Sequence, residues 1–158
     1  MRRVSVLLAL AGASALVAAG CGGESSAKKK EEFLAKANAI CKHFEGLQNQ
    51  VQVPSVNPLA AKTTHTGRAQ WGLGIKQLAY LGTQEVNALG KLKPPKELAD
   101  GFQQLLATKS GAFADLMQGA DAAKRNHVSE IKAPINAGRI ALAQATKQAR
   151  ALGLKECE

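Results

Sequence analysis

Hydrophobic and small residues recur at three- and four-residue spacing along most of this 158-residue chain. That spacing places the apolar positions on one face of a helix and predicts amphipathic α-helices. Proline pairs and polar runs interrupt the pattern and divide it into segments. The four predicted helices run from near Glu31 to near Val51, from after Pro58 to Leu92, from Pro95 to Asn126 and from Val128 to Leu152.

Two of these helices leave alternatives open. The second is rich in glycine up to Gly82, and each glycine weakens a helix by about 1 kcal/mol relative to alanine. The helix is expected to begin after Pro58 and to be regular by Gln70. Either those glycines let a neighbouring helix approach closely, or the helix starts late. Pro134 lies inside the fourth segment, so either the helix kinks there or its regular part begins at Pro134 after a short helical turn. Gly153 is predicted to be its C-cap.

The composition agrees with a helical fold. Aromatic residues make up only 4% of the chain, whereas sheets favour aromatic and β-branched side chains. Four amphipathic segments with short links predict an all-α fold, an up-down-up-down four-helix bundle. In that topology the first helix is antiparallel to the fourth, so its beginning lies at the end where the fourth finishes.

The first twenty-one residues carry a targeting pattern. Arg2 and Arg3 precede an apolar stretch, and small residues from Ala18 lead to Cys21. This is the anatomy of a secretory signal. A cysteine directly after small residues resembles a bacterial lipoprotein signal, although Ala18 stands where that pattern prefers leucine. The resemblance implies that the Cys21 thiol is acylated and becomes the first mature residue. The alternatives are ordinary secretion and a retained transmembrane anchor, although the apolar stretch is short for a membrane span.

We therefore divide the chain into a signal peptide (1–20), a flexible tether (21–30) and a helical bundle domain (31–158). The whole chain has 21 Lys and Arg against 12 Asp and Glu, a net charge of +9. Loss of residues 1–20 leaves 138 residues with 19 basic against 12 acidic groups, a charge of +7. Such a charge either serves solubility, spread over the helix faces, or lets an exported protein contact anionic lipid heads, wall polymers or acidic partners rather than nucleic acid. Lys28, Lys29 and Lys30 are either membrane-proximal or simply a solvated helix start.

Three cysteines are present. If Cys21 carries lipid, Cys41 and Cys157 are left as an even count in an oxidising compartment. We predict that they form a disulfide, which stabilises the domain by about 4–5 kcal/mol on the chain-entropy account. The alternatives are two unrelated thiols or a redox-active pair. The absence of a C-x-x-C motif disfavours the redox-active pair.

Motifs for catalysis, metal or cofactor binding are weak in this sequence. His43, His65 and His127 belong to no recognised local signature, and there is no Glu-x-x-His pair for a di-metal bundle. We therefore expect no enzyme activity, no metal and no cofactor, although a site dispersed along the chain would escape notice. The acidic residues are expected off the apolar faces or at helix starts. This expectation covers Glu31, Glu32, Glu45, Glu85, Glu97, Asp100, Asp115 and Asp121.

One apolar cleft is worth testing. Trp71 lies near the glycine-rich start of the second helix, where an opening in the bundle is most plausible. A lone tryptophan on an apolar helix face usually belongs to the core. The alternative is a small-molecule cleft lined by Trp71, Ile75, Phe102 and Phe113.

Three segments carry a resemblance: Ala37 to Lys42 (ANAICK), Leu92 to Leu98 (LKPPKEL) and Ala151 to Cys157 (ALGLKEC). Together with the signal, they resemble small exported helical lipoproteins of actinobacteria that carry one cysteine in the first helix and one near the C-terminus. The resemblance covers most of the mature chain. It implies fold and location, and it adds no activity because that group has none assigned.

These observations predict a non-enzymatic lipoprotein anchored through Cys21 to membrane lipid on the extracytoplasmic face of the cell membrane. It would act as a structural module or bind an envelope protein or an anionic surface polymer. The alternative function is a carrier or sensor for a small ligand held between helices. An envelope enzyme with a dispersed site is a third, less supported hypothesis.

Overall fold

The structure is a computed structural model and describes residues 25–158. Cys21 and the predicted signal peptide lie outside the described residues. Within that range the regular elements are all helical, which confirms the all-α prediction. They are α1 (Ser26–Gln48), α2 (His65–Leu89), α3 (Lys96–Lys124) and α4 (Lys132–Leu152), with short 3-10 turns at Val128–Glu130 and Lys155–Cys157.

Helix α1 begins five residues earlier than predicted. The Ser25 hydroxyl accepts a hydrogen bond from the Lys28 amide at 3.3 Å, which satisfies one of the unpaired donors of the first turn. Residues 26–30, assigned from the sequence to the tether, are therefore helical. The apolar pattern misplaced the start because its first buried position is Phe33, two turns after the cap.

Helix α2 begins late and also packs closely. Thr64 caps it by accepting from the Gly67 amide at 3.1 Å. A Cβ at Gly72 would lie 2.6 Å from the Ala120 carbonyl oxygen, and one at Gly82 would overlap the Phe113 ring. Both alternatives for the glycines therefore hold. The helix starts late, at His65, and its glycines let α3 approach closely.

The start and end of α4 follow from proline and glycine chemistry. Pro134 is the third residue of the helix, where a missing backbone N–H is tolerated, and a 3-10 turn precedes it. The regular part thus starts after a short helical turn, within two residues of the prediction. Gly153 ends the helix in the left-handed conformation at φ 83°, as predicted. Pro95 is the N-cap residue of α3, directly before the helix, and does not lie in its first turn as predicted.

Contacts between helices give their directions. Residues at the start of α2 meet the end of α3, and residues at the start of α3 meet the end of α4, so each pair is antiparallel. The start of α1 meets the start of α3. This arrangement is compatible with the predicted up-down-up-down order. The pairs are Gly72 with Ala120, Gly90 with Leu106, Gly119 with Ile135, Gly101 with Leu152, Ser26 with Glu97, and Phe33 with Phe102.

The connection between α1 and α2 is held by a buried arginine. The Arg68 side chain donates to the carbonyl oxygens of Pro58 and Ala60 at 2.9 and 2.8 Å, and to Asn126 Oδ1 at 3.0 Å. Asn126 adopts a positive φ of 61° in the turn after α3. One guanidinium therefore fixes the loop before α2 against the turn that precedes α4.

The main hydrophobic cluster draws on all four helices. The Phe33 and Phe102 rings meet edge to face at 4.9 Å in its centre, a favourable geometry for aromatic pairs. Among the described residues, no helix is long and apolar enough to cross a membrane. The cluster contains Phe33, Ala37, Cys41, Leu89, Leu98, Phe102, Leu105, Leu106, Ala145, Ala149, Leu154 and Cys157.

Candidate functional site

Cys41 and Cys157 form the predicted disulfide. Their Cα atoms are 5.0 Å apart, and both residues are buried. Cys41 lies in the middle of α1, and Cys157 lies in the 3-10 turn that follows α4. The bond therefore joins the first helix to the last turn of the chain and closes the bundle at that side.

A cavity of about 200 Å³ lies beside this disulfide. Residues from all four helices and from the last turn line it, so it is an opening between helices rather than a surface dimple. The lining residues are Cys41, Glu45, Gln48, Glu85, Lys109, Phe113, Leu142, Thr146, Glu156, Cys157 and Glu158.

A buried ion pair forms part of the cavity wall. Lys109 Nζ on α3 donates to Glu85 Oε1 on α2 at 2.5 Å. The two side chains are only 8% and 6% exposed. Removing two charges from water is costly unless they pair closely, so the short contact between them is what makes their burial tolerable.

The position of Glu85 corrects the expectation that the acidic residues lie off the apolar faces. Glu85 follows Gly82 by three residues and precedes Leu89 by four, so it shares their buried face. Lys109 likewise interrupts the buried series of α3 between Leu106 and Ala112. Two such interruptions of opposite charge on neighbouring helices were the available sequence signal.

The other charged side chains of the cavity wall are acidic. Glu45, Glu156 and Glu158 add three carboxylates to Glu85, against the single ammonium of Lys109. Glu158 is paired with Arg150, and this hydrogen bond lowers the pKa of the Glu158 carboxyl. The lining thus carries an excess of negative charge in a protein whose overall charge is positive, which favours small cations over anions.

The same residues do not offer a metal site while the disulfide is intact. The Cys41 and Cys157 sulfurs and a Glu85 carboxylate oxygen lie within 4.8 Å of one another. Cysteine binds zinc as a thiolate, whereas these sulfurs are bonded to each other and Glu85 already accepts from Lys109. This cluster is therefore a covalent and ionic junction rather than a set of free ligands.

The structure does not bring the predicted apolar cleft residues together. Trp71 packs against Ala123, whereas Phe102 is fully buried in the main cluster. Positions 102 and 123 on α3 are about 30 Å apart along the helix. Phe113 covers Gly82 and reaches the acidic cavity instead.

The three histidines have separate local roles. His43 is exposed and lies edge to face against Phe44, with ring centroids 5.3 Å apart. His65 Nε2 donates to the Lys124 carbonyl oxygen at 3.1 Å. His127 Nδ1 lies 3.4 Å from the Glu130 carboxylate in the turn before α4. Their contacts fix helix ends and turns and do not bring the three imidazoles to one site.

The predicted membrane-proximal residues Lys28, Lys29 and Lys30 lie exposed in the first turns of α1. The predicted lipidation site, Cys21, precedes the described residues by four positions. Comparison of the chain with known protein families, curated proteins and solved structures gives no match.

Proposed function

We propose that this protein is an exported lipoprotein, anchored through Cys21 to the outer face of the cell membrane, that acts as a non-enzymatic binding module in the envelope. The finer architecture we propose is an up-down-up-down bundle stapled by its disulfide. Residues 25–158 form the module, and the acyl chains supply its location.

The observation that carries this proposal is the Cys41–Cys157 disulfide. Stable disulfides are characteristic of proteins exported to oxidising compartments, so the bond supports the export that the leading segment indicates. It also leaves Cys21 as the one cysteine of the three outside the pair. That is the residue which the resemblance to lipoprotein signals assigns to acylation.

The surroundings of the buried charges support a binding role over catalysis. A general acid or base needs a proton that it can exchange with a substrate. Lys109 and Glu85 instead satisfy each other at 2.5 Å, and they tie α2 to α3 next to the disulfide. The pair is better explained as a structural link in the centre of the bundle.

Cell fractionation tests the anchor. The wild-type chain, expressed in a bacterium that lipidates its own exported proteins, should sediment with membranes and resist extraction by high salt. Cys21→Ser, exported behind a signal peptide that is cleaved directly before residue 21, should be released as a soluble exported protein. Gly22→Ser changes the next residue and keeps the thiol, so it should remain in the membrane. Membrane retention of Cys21→Ser would contradict anchoring through this cysteine.

A second candidate function is the binding of a small organic cation in the acidic cavity. A volume of about 200 Å³ suits a compact ligand, since a cavity of 150 Å³ holds benzene. The carboxylates of Glu45 and Glu156, both exposed at the rim, would face an ammonium or guanidinium group.

NMR titration tests this second function. Alkylammonium and alkylguanidinium ions should shift the amide signals of residues around Glu45 and Glu156, and alkyl carboxylates of the same size should not. Glu45→Gln with Glu156→Gln should abolish those shifts, whereas Glu31→Gln on the same helix should preserve them. Equal shifts from cations and carboxylates would exclude an electrostatically selective site.

A further inference from the structure

Three separate segments bring lysines to the end of the bundle where α1 begins. They are the first turns of α1, the connection between α2 and α3, and the turn after α4. All seven of these lysines are exposed. We call this surface the basic end: Lys28, Lys29, Lys30, Lys91, Lys93, Lys96 and Lys155.

Direct contacts show that the three segments adjoin. The Ser26 hydroxyl donates to Glu97 Oε1 at 3.1 Å, which joins the start of α1 to the start of α3. One groove between α1 and the α2–α3 connection is lined by Lys29, Lys91 and Lys93. A second groove, on the other side of α1, is lined by Lys30 and Lys155. The lysines therefore surround the start of α1.

The charge of the basic end remains positive after its acidic neighbours are included. Glu31, Glu32, Glu97, Asp100 and Glu156 belong to the same segments, which leaves an excess of two positive charges, and Glu158 is paired with Arg150. A solvated helix start would explain the lysines of α1 alone. It does not explain why two segments distant in sequence place four more lysines around that start.

The predicted anchor restricts which surface can reach the membrane. Ser26 follows Cys21 by five positions, and a chain of that length spans at most about 18 Å. A lipid attached to Cys21 would therefore keep the basic end next to the headgroups. Attraction to an anionic surface acts over roughly 8–10 Å at physiological salt, which exposed lysine side chains at this end can bridge.

We propose that the basic end docks on the anionic headgroups of the membrane that holds the anchor. The bundle then stands with the start of α1 against the membrane, and the α1–α2 loop and the α3–α4 turn face outward. This inference rests on the proposed lipid anchor. Each lysine near the surface contributes about 1 kcal/mol in such segments, a factor of about five in the population of docked molecules.

The orientation can be measured on a chain tethered through its own cysteine. With Cys41 and Cys157 paired, the Cys21 thiol of the chain 21–158 is coupled to a maleimide lipid in vesicles of phosphatidylglycerol and phosphatidylcholine, or of phosphatidylcholine alone. Exposed lysines are acetylated with N-hydroxysuccinimidyl acetate, and mass spectrometry gives the rate at each site. Lys62 and Lys132 report on the opposite end.

We expect acetylation at the basic end to slow at least fivefold on the anionic vesicles, relative to Lys62 and Lys132, and to be unchanged on the neutral ones. The triple variant K91Q/K93Q/K96Q should restore fast acetylation of Lys155. The matched variant K62Q/R125Q/K132Q removes the same charge from the opposite end and should keep Lys155 protected on the anionic vesicles relative to the neutral ones.

Equal acetylation rates on both kinds of vesicle would overturn the proposal, as would protection of Lys62 and Lys132 in place of the basic end. Because the tether is chemical, this result is independent of acylation in the cell. Failure of native lipidation would appear in the fractionation of Cys21→Ser, and failure of docking would appear only here.

Discussion

Replacing Lys109 with methionine removes the only hydrogen-bonded partner that the structure gives the Glu85 carboxylate. The side chain of Glu85 is 6% exposed, so the variant leaves a charge buried and uncompensated. Breaking a buried pair in this way typically costs 3–5 kcal/mol. Since the adjacent cavity of about 200 Å³ lets water approach, we expect the lower part of that range, about 3 kcal/mol.

Replacing both partners should have a much smaller effect. In Glu85→Leu with Lys109→Met, no charge remains to be desolvated, and apolar side chains can pack in the same space. Such replacements are often neutral or stabilising by 1–4 kcal/mol. The double variant should therefore be at least as stable as the wild type, and a double-mutant cycle should give a large coupling energy.

The assay is urea denaturation of the oxidised protein at pH 7, followed by circular dichroism, with thermal melts in parallel. A loss of 3 kcal/mol should lower the melting temperature by roughly 10 °C for a domain of this size. If Lys109→Met alone is no less stable than the double variant, the pair does not compensate a buried charge, and our account of the cavity wall is wrong.

Four further variants test the packing and the surface charges. Gly82→Ala should destabilise the protein to urea by about 1–3 kcal/mol because its Cβ would overlap the Phe113 ring. Gly111→Ala, with no atom near its Cβ, should stabilise the protein by up to about 1 kcal/mol. Equal effects of the two substitutions would contradict the close approach of α2 and α3. Arg68→Met should cost about 2–4 kcal/mol through lost hydrogen bonds to half-buried carbonyls. It should also speed hydrogen exchange in residues 51–64, and unchanged exchange there would show that the loop is held otherwise. The Lys76 hydrogen bond lowers the pKa of Asp121. Its contribution is therefore complete above the unfolded pKa near 3.9 and is lost as the pH falls through the lower folded value. Asp121→Asn should thus cost less than about 1 kcal/mol at pH 7, and this cost should shrink as the pH falls below the unfolded pKa; a cost that does not change with pH would argue against an ionic origin.

The spacing of apolar residues alone predicted the four helices, because the helices of this bundle pack against one another through their apolar faces. Helix limits depended on side-chain caps that the spacing does not reveal. Ser25 and Thr64 each accept a backbone hydrogen bond three residues ahead, and these caps, not the first apolar residue, set where α1 and α2 begin. Cysteine parity was enough to predict the disulfide.

The candidate site was harder to predict because it depends on which residues face each other across helices. Glu85 and Lys109 are 24 positions apart, and each looks like an ordinary surface charge until α2 and α3 are paired. The predicted cleft joined Trp71 to Phe102, although they lie at opposite ends of the α2–α3 pair. The relative register of α2 and α3, which composition does not encode, brings Glu85 and Lys109 together and keeps Trp71 and Phe102 apart.

Mass spectrometry of the intact protein from its native envelope, with and without thiol alkylation, tests the central claim most directly. The account predicts a chain that begins at Cys21, carries a diacylglycerol on that residue, and leaves Cys41 and Cys157 unreactive to alkylation until the disulfide is reduced. An unlipidated chain would contradict the anchor, and free thiols at Cys41 and Cys157 would contradict the disulfide on which the proposal of an exported module rests.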